Sequence, residues 1–258
     1  MSALTCLYKD KYIYAVHKPQ GVPFHSLDET VQKDQELVHV EGIVSLAKKF
    51  LSDDNIYPVH RLDRMTSGVM IFARTKEANS TLSKLFLEKK IEKYYLALSD
   101  NKPKKKQGAV IGDMAKGRSG SYLLKRTNEN SAITRFFAKK IAINSGDAWF
   151  YILKPETGKT HQLRVALKSL GSPVIGDSRY SGKAASRGYL HAYKIRFDLL
   201  GSRYEIVDPH FDGEEFNLEQ YSASVSSEVQ TLSNDTTDFL KPELLSWPKS
   251  SFLLSDDK

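Results

Sequence analysis

Short apolar runs alternate with amphipathic stretches along most of this 258-residue chain. The continuous run 69–73 predicts a buried strand, and helically spaced apolar residues predict helices that begin near Ile43, after Thr75 and after Thr160. Thr75 and Thr160 are the expected N-caps, and Gly171 is the expected end of the last helix. The pattern favours an α+β fold with a mixed, largely antiparallel sheet flanked by helices. Further strands are predicted within 8–16, 94–98, 132–138, 148–153, 189–197 and 203–207.

The composition is that of a globular protein: 40% of the residues are hydrophobic and 27% are charged. No apolar run approaches the roughly 20 residues of a membrane helix, and the first residues do not resemble a secretory signal. Cys6 is the only cysteine, which excludes an intramolecular disulfide, and the seven histidines lack paired metal-ligand spacing. We therefore expect a cytoplasmic protein without a metal or a membrane partner, and we expect it to be a monomer.

Positive charge is concentrated in residues 101–126, which hold eight basic residues and one acidic residue. Four glycines in this segment predict a flexible hairpin or loop. The lysines either keep a solvated loop soluble or bind a polyanion, and both interpretations stay open at this point. Residues 219–258 contain seven acidic residues and three lysines. We predict one domain in residues 1–220 and an acidic Ser/Thr-rich tail, either disordered or docked, in residues 221–258.

The sharpest chemical pattern is the stretch 60–68, His-Arg-Leu-Asp-Arg-Met-Thr-Ser-Gly. Asp63 lies between Arg61 and Arg64 in the sequence, just before a turn that leads into the predicted buried strand. Because neighbouring positive charge favours an ionised carboxylate, Asp63 is a candidate for acid–base or nucleophilic chemistry. A salt-bridged turn residue without a catalytic role is the alternative that these residues leave open.

A second cationic candidate lies a hundred residues further along the chain. Arg164 follows His161 by three residues, so both side chains share one face at the start of a predicted helix. A helix N-terminus favours negative charge, and this position predicts that the two residues help to hold an anion.

These motifs resemble the signatures of the RluA/RsuA family of RNA pseudouridine synthases, on the RluA side. The resemblance spans about residues 8–207 and implies a pseudouridine synthase fold with a central catalytic cleft. It begins with a Lys-Pro-x-Gly motif by residue 18, so we expect the compact form without an S4-like domain. The stretch 60–68 resembles the His-Arg-Leu-Asp motif of the family, and further segments follow the family order. They are Lys18-Pro19-Gln20-Gly21, 91–97, 132–136, 155–164, 171–177 and 191–192.

The resemblance also implies roles for individual residues. Asp63 would be the catalytic aspartate, Arg164 would pair with it, and Tyr95 would lie against the target uracil. Arg61 would fill the space of the extruded base or grip a phosphate, although an ion pair with a nearby acid explains it equally well. Core packing is the alternative for Tyr95. The residues expected to contact the substrate are Arg61, His60, Leu163, Lys18, Thr66 and His161, and those expected to contact the RNA backbone are Lys104, Lys105, Lys106, Lys116 and Arg118.

The implied reaction is the isomerisation of uridine to pseudouridine in structured RNA, either a tRNA or an rRNA stem-loop. It involves no redox change and no net hydrolysis, so we expect no cofactor. Two other classes remain open. An aspartate-dependent glycosidase would need a second acid, for which Glu156 is the nearest motif residue, and a non-catalytic RNA-binding protein would keep the scaffold without the reaction.

Overall fold

The computed structural model describes three stretches of the chain, residues 4–31, 36–222 and 241–248. By their contacts these residues form two compact units. The first unit lies within residues 1–92 and 192–208, and the second unit lies within residues 93–191 and 209–258. The predicted domain boundary at residue 220 therefore falls inside the second unit.

The described residues form thirteen β-strands, three α-helices of eight or more residues and a helical stretch at residues 218–222, in addition to short 3-10 turns. The helices are α1 (Ile43–Leu51), α2 (Lys76–Leu87) and α3 (Gln162–Ser169). The strands are β1 (Thr5–Lys9), β2 (Ile13–Lys18), β3 (Leu27–Val31), β4 (Glu36–Val40), β5 (Tyr57–Pro58), β6 (Ser67–Ala73), β7 (Glu92–Ser99), β8 (Gln107–Lys116), β9 (Tyr122–Lys125), β10 (Ala132–Ile143), β11 (Gly146–Pro155), β12 (Leu190–Leu199) and β13 (Ser202–Val207).

The first unit buries both faces of its sheet, whose strands lie in the order β1-β2-β6-β12. Strand β13 pairs with β12, and the short β5 pairs with β6. Alternate residues of β2 and β6 face opposite sides. Ile13 and Ile71 belong to the cluster that contains Leu82 of α2, whereas Met70 belongs to the cluster that contains Ile43 of α1. Because helices cover both faces, these strands appear in the sequence as continuous apolar runs.

The second unit has the strand order β7-β11-β10-β8-β9, in which each strand runs antiparallel to its neighbour. Helix α3 packs against β9 and β10. Strands β8 and β9 come from the basic segment, so the predicted hairpin is confirmed. It is a regular part of the sheet rather than a loop, because the buried Ala109 and Val110 of β8 pair with β10.

The predicted α+β fold with a mixed, largely antiparallel sheet and flanking helices is therefore confirmed. The longest described helix, α2, has twelve residues. None of the described helices is long and apolar enough to cross a membrane.

Two predicted helix ends are confirmed and one is wrong. Thr75 caps α2, since its side chain accepts the Ala78 N–H at 3.1 Å, and Gly171 follows α3 with a φ of 74°. Thr160 does not cap α3, which begins two residues later. The N-cap position is held by His161 in a left-handed conformation with a φ of 57°, and this turn separates Thr160 from the helix.

Part of the predicted tail is docked on strands of the second unit. Residues 241–248 carry Trp247, whose ring centroid lies 5.2 Å from that of Phe137 in β10 and 6.0 Å from that of Tyr94 in β7. Aromatic contacts of this kind stabilise a docked segment by more than the buried apolar area alone would. The remainder of the tail after residue 222 lies outside the described residues.

Candidate active site

Asp63 lies in the loop that connects β5 to β6 in the first unit. The loop folds back on itself, since the Thr66 N–H donates to the Asp63 carbonyl oxygen at 3.0 Å. Thr66 and Ser67 are buried where the chain enters β6, whereas Asp63 is half-buried. The loop therefore has a buried, hydrogen-bonded backbone around a carboxylate residue that retains solvent exposure.

Lys18 at the end of β2 holds this loop. Its side chain is completely buried, and Nζ donates to the carbonyl oxygens of Thr66 at 2.9 Å, Pro19 at 3.0 Å and Arg64 at 3.4 Å. A buried ammonium group is unfavourable unless its protons are hydrogen-bonded. These bonds stabilise the charge and tie β2 to the residues that follow Asp63. A contact between Lys18 and the substrate remains a prediction.

The two arginines that flank Asp63 in the sequence are directed to other partners. Arg64 forms a two-point ion pair with the carboxylate of Glu29 in β3, and this hydrogen bonding lowers the pKa of Glu29. The guanidinium carbon of Arg61 lies 5.5 Å from the centroid of the Phe24 ring. Adjacency in the sequence was therefore a poor guide to the electrostatic partners of these arginines.

His60 and Gly68 fix the two ends of the loop. His60 Nε2 accepts the backbone N–H of Ile71 at 2.9 Å, and its ring stacks on Phe86 with centroids 5.0 Å apart. Gly68 has a φ of 119°, and a Cβ there would lie 2.3 Å from the carbonyl oxygen of Ala192. A side chain at this position is therefore excluded by both conformation and space. The predicted substrate contacts of His60 and Thr66 remain predictions.

Tyr95 lies on β7 in the second unit, in register with Leu153 of β11. Its neighbour Tyr94 faces the opposite side of the sheet, is 1% exposed and packs near Trp247. Tyr95 is only half-buried. Core packing therefore describes Tyr94, while Tyr95 keeps surface that a planar base could contact.

Gln162, the first residue of α3, anchors the helix that carries Leu163 and Arg164. Its side-chain oxygen accepts hydrogen bonds from the Thr157 hydroxyl at 2.7 Å and from the Lys159 N–H at 3.0 Å. Its amide nitrogen donates to the carbonyl of Ile133 and to the hydroxyl of Thr134, both at 3.0 Å. Because the amide is fully engaged, the start of α3 has one defined position on β10.

Arg164 is buried and forms a bidentate pair with Asp177. Its Nε lies 2.7 Å from Oδ2 and its Nη2 lies 2.8 Å from Oδ1, and both side chains are nearly inaccessible to solvent. Such a fork fixes the plane of the guanidinium group. The pair with Asp63 that the family resemblance implies remains a prediction.

Tyr180 also contacts Arg164. The guanidinium carbon lies 5.0 Å from the centroid of its ring, within the range of a cation–π contact. The Tyr180 hydroxyl accepts the N–H of Tyr122 at 2.9 Å and lies 2.9 Å from His161 Nδ1. Burial raises the pKa of Tyr180, so the hydroxyl stays protonated at neutral pH. His161 is thus tied to Tyr180, and its predicted substrate contact is untested.

The five residues predicted to contact the RNA backbone form two groups at opposite ends of β8. Lys104, Lys105 and Lys106 precede the strand, while Lys116 ends it and Arg118 lies in the hairpin turn. All five are exposed. A ten-residue strand is roughly 30 Å long, so the two groups cannot contact the same phosphate.

Three residues with clear roles in these surroundings were not predicted from the sequence: Asp177, Tyr180 and Glu29. A usable signal existed for Asp177, because a buried arginine needs an acid, and Asp177 follows the end of α3 by eight residues. No local pattern indicated Glu29, since it precedes its partner by 35 residues.

Residues 12–169 match the family model described as RNA pseudouridylate synthase. The chain belongs to this family. It is 45% identical over 198 residues to an uncharacterized RNA pseudouridine synthase of Haemophilus influenzae. The alignment covers 76% of this chain and 83% of that protein. The family resemblance predicted from the motifs is thereby confirmed. Converting uridine to pseudouridine in RNA is the activity of the family, so this chain is an isomerase with an RNA substrate.

More distant relatives carry related names. An uncharacterized RNA pseudouridine synthase of Bacillus subtilis is 30% identical over 200 residues, covering 75% of this chain and 63% of that protein. Ribosomal large subunit pseudouridine synthase D of Borreliella burgdorferi is 30% identical over 208 residues, covering 76% of this chain and 61% of that protein. The chain therefore spans less than two thirds of the length of these two relatives.

Solved structures support the same fold. Human RNA Pseudouridylate Synthase Domain Containing 1 superposes with a TM-score of 0.67 at 21% identity, covering 90% of this chain and 96% of that chain. Human RNA Pseudouridylate Synthase Domain Containing 4 gives a TM-score of 0.59 at 24% identity, covering 79% and 87% respectively.

Proposed function

We propose that this chain isomerises a specific uridine in a structured RNA and that Asp63 is its catalytic group. The observation that carries the proposal is the construction of the Asp63 loop. The buried Lys18 ammonium and the Thr66 N–H fix the backbone at Asp63 and just after it, while Asp63 itself remains half-buried. A carboxylate on a rigid backbone that is still reachable from solvent suits an attacking or proton-accepting group.

The reaction breaks the C1′–N1 glycosidic bond, turns the uracil and forms a C1′–C5 bond, after which C5 loses its proton to solvent and N1 takes up a proton. An ionised Asp63 would either attack C1′ and be displaced later by C5, or remove a ribose proton as the base departs and return it afterwards. Atoms and charge balance on both routes.

Tyr95 and Arg164 supply the remaining functions in this proposal. A detached uracil must be held while it turns, and a half-buried tyrosine offers a stacking face for it. Leu163 would line the base pocket, as the family resemblance implies. Arg164 pairs with the Asp63 carboxylate and keeps it ionised, as the family resemblance implies.

The target base must leave its stack before it can react, which requires a few kcal/mol in a helix and less in a loop. Arg61 is suited to grip a phosphate or to fill the vacated space, since it is exposed and has no carboxylate partner within the described residues. The two basic groups at the ends of β8 would bind phosphates of the RNA backbone.

The RNA is a tRNA or an rRNA stem-loop in this proposal. The Borreliella relative is named as an enzyme of the large ribosomal subunit, which favours the rRNA alternative. We further propose that the protein works as a monomer in the cytoplasm, where the exposed thiol of Cys6 would stay reduced. Mapping pseudouridine in RNA from cells with and without the protein identifies the target directly.

The test of the reaction uses RNA that carries tritium at uracil C5. We expect the wild-type protein to release the label and Asp63→Asn to lose at least about a thousandfold in rate while still binding RNA. Asp147→Asn is the matched control, because Asp147 is exposed and pairs with Lys140 at the far end of β11. Turnover by Asp63→Asn at a rate near that of the control would remove Asp63 from the reaction.

The same assay separates the alternatives. A glycosidase would release free uracil and leave an abasic site, and a binding protein would release no label. The glycosidase alternative needs Glu156 as its second acid. The structure argues against this alternative, because Arg135 Nε donates a hydrogen bond to the Glu156 carboxylate at 2.5 Å.

A second test addresses the basic groups separately. We expect charge reversal at Lys104, Lys105 and Lys106, and independently at Lys116 and Arg118, to weaken RNA binding. Each set should lower the slope of log Kd against log salt by about one for each phosphate that is no longer neutralised. An unchanged slope for one set would exclude that end of β8 from the RNA interface.

A further inference from the structure

The short turn that begins at Asp177 lies between Arg164 and the tip of the basic hairpin. We propose that Asp177 and Tyr180 are positioning residues for Arg164, and that the same turn anchors the hairpin tip through Arg179. The inference rests on the proposed function, because it gives Arg164 a role in the reaction. The resemblance to the family implied no such role for this turn.

Asp177 fixes the orientation of the Arg164 side chain. The pair uses the Nε–Nη2 edge of the guanidinium group, with distances of 2.7 and 2.8 Å. Two parallel hydrogen bonds hold both the position and the plane of the group, which a single bond would leave free to rotate. Nη1 is not part of this pair, and it is the nitrogen through which Arg164 would reach a second acceptor.

Asp177 also compensates the charge of Arg164. Both side chains are almost completely buried, at 8% and 1% exposure. An unpaired guanidinium in such a place would be strongly destabilised. With Asp177 present, Arg164 can stay ionised and fixed before any substrate arrives.

Tyr180 restrains Arg164 from the side. Its ring lies under the guanidinium group, with the centroid 5.0 Å from the guanidinium carbon. Its hydroxyl is held by the Tyr122 N–H and by His161, each at 2.9 Å, so the ring itself cannot turn away. Tyr122 begins β9, and this bond therefore connects the surroundings of Arg164 to the basic hairpin.

Arg179 faces the hairpin tip. Its Nη1 donates to the carbonyl oxygen of Ser119, between the exposed Arg118 and Gly120. Consecutive residues of one turn thus hold the hairpin tip and the Arg164 side chain. The structure predicts two separable effects: Arg179 acts on RNA binding, and Asp177 and Tyr180 act on the chemical step.

The experiment compares kcat and KM for three single variants. Asp177→Asn and Tyr180→Phe should lower kcat, by about a hundredfold and a few-fold respectively, with KM within about twofold of the wild type. Arg179→Ala should raise KM and leave kcat near its wild-type value. Asp147→Asn again serves as the control, and urea unfolding reports the folded fraction of every variant.

A double-mutant cycle distinguishes positioning from a general loss of structure. Lys cannot form the bidentate pair, so in an Arg164→Lys background Asp177→Asn and Tyr180→Phe should lower kcat much less than in the wild type. Equal losses in both backgrounds would show that these residues act independently of Arg164 and would overturn the inference. A wild-type kcat in Tyr180→Phe would also overturn the inference. This second variant keeps the test valid if Asp177→Asn does not fold.

Failure of the proposed function gives a different result. In that case the wild-type protein releases no tritium, or Asp63→Asn keeps its activity. The inference alone fails when the wild type is active and Asp63→Asn is inactive, yet the cycle shows no coupling to Arg164.

Discussion

Lys18 and Arg164 are both buried cations, and the molecule stabilises them in different ways. Lys18 in the first unit donates to three backbone carbonyl oxygens, two of which belong to the loop that carries Asp63. Arg164 in the second unit binds the carboxylate of Asp177, thirteen residues further along the chain. One cation organises a backbone, and the other is organised by side chains.

This difference determines how each region responds to substitution. Backbone carbonyls are present whatever the residue type, so the geometry around Lys18 depends on the ammonium group and on the path of the chain. The orientation of Arg164 depends instead on the identity of Asp177 and Tyr180. We therefore expect the Asp63 loop to be most sensitive to changes in backbone shape and in Lys18, and the Arg164 region to be most sensitive to its partners.

The largest effect on the Asp63 loop should come from Gly68→Ala. The new Cβ would lie 2.3 Å from the Ala192 carbonyl oxygen, in a backbone conformation with a φ of 119°. Strain and overpacking together should lower the free energy of unfolding by about 4 kcal/mol or more. Urea unfolding measures the loss, and hydrogen exchange should show faster opening of β6.

Gly201→Ala is the matched control for this prediction. Its φ is also positive, at 82°, but a Cβ there would have nothing within 4 Å. Conformational strain alone should lower the unfolding free energy by about 1–2 kcal/mol. If both variants lose the same amount, the close approach of β6 to Ala192 does not constrain the loop.

A smaller effect is expected from Lys18→Met, which keeps the length of the side chain and removes the ammonium group. The carbonyl oxygens of Thr66 and Pro19 would lose a hydrogen-bond donor in a buried site, with a loss of about 3 kcal/mol in unfolding free energy. Because the Asp63 loop would also loosen, kcat should fall by more than the folded fraction.

Lys49→Met provides the comparison for Lys18. Lys49 pairs with Glu41 on the surface, and exposed ion pairs contribute little to stability. Equal stability losses for the two variants would mean that the bonds of Lys18 to the loop carry no more weight than a surface pair.

The elements that the sequence predicted well are those determined by neighbouring residues. The buried strand β6, the N-cap Thr75 and the glycine after α3 all follow from short patterns. The candidate residues around Asp63 could be proposed because they form one contiguous motif. The same contiguity did not indicate the contacts of the flanking arginines, since Arg61 lies against the Phe24 ring and Arg64 pairs with Glu29.

The features that the sequence did not predict depend on contacts between distant residues. The hairpin of β3 and β4 carries no strong apolar pattern, and its exposed Leu37 and Val38 do not mark a core. The start of α3 was misplaced because His161 adopts a positive φ that no local residue signal indicates. Asp177 could be recognised as the partner of Arg164 only once the burial of the arginine was known.

The smallest predicted effect concerns Glu29, which holds Arg64 of the Asp63 loop from β3. Hydrogen bonding from Arg64 lowers the pKa of Glu29, so the pair is fully formed above the ordinary carboxyl range and is lost as the pH falls through the lowered pKa. Glu29→Gln should therefore reduce kcat at neutral pH, by no more than about fivefold because the pair is exposed.

The pH dependence of this effect separates it from a change in packing. Stability differences between the wild type and Glu29→Gln should be constant near neutral pH and should shrink in acid, where Glu29 of the wild type becomes protonated. Glu41→Gln removes another exposed pair, with Lys49, and should leave kcat unchanged at every pH. A loss of kcat in Glu29→Gln that persists undiminished in acid would show that the charge of Glu29 does not hold the Asp63 loop, and that Lys18 and the backbone bonds support the loop without it.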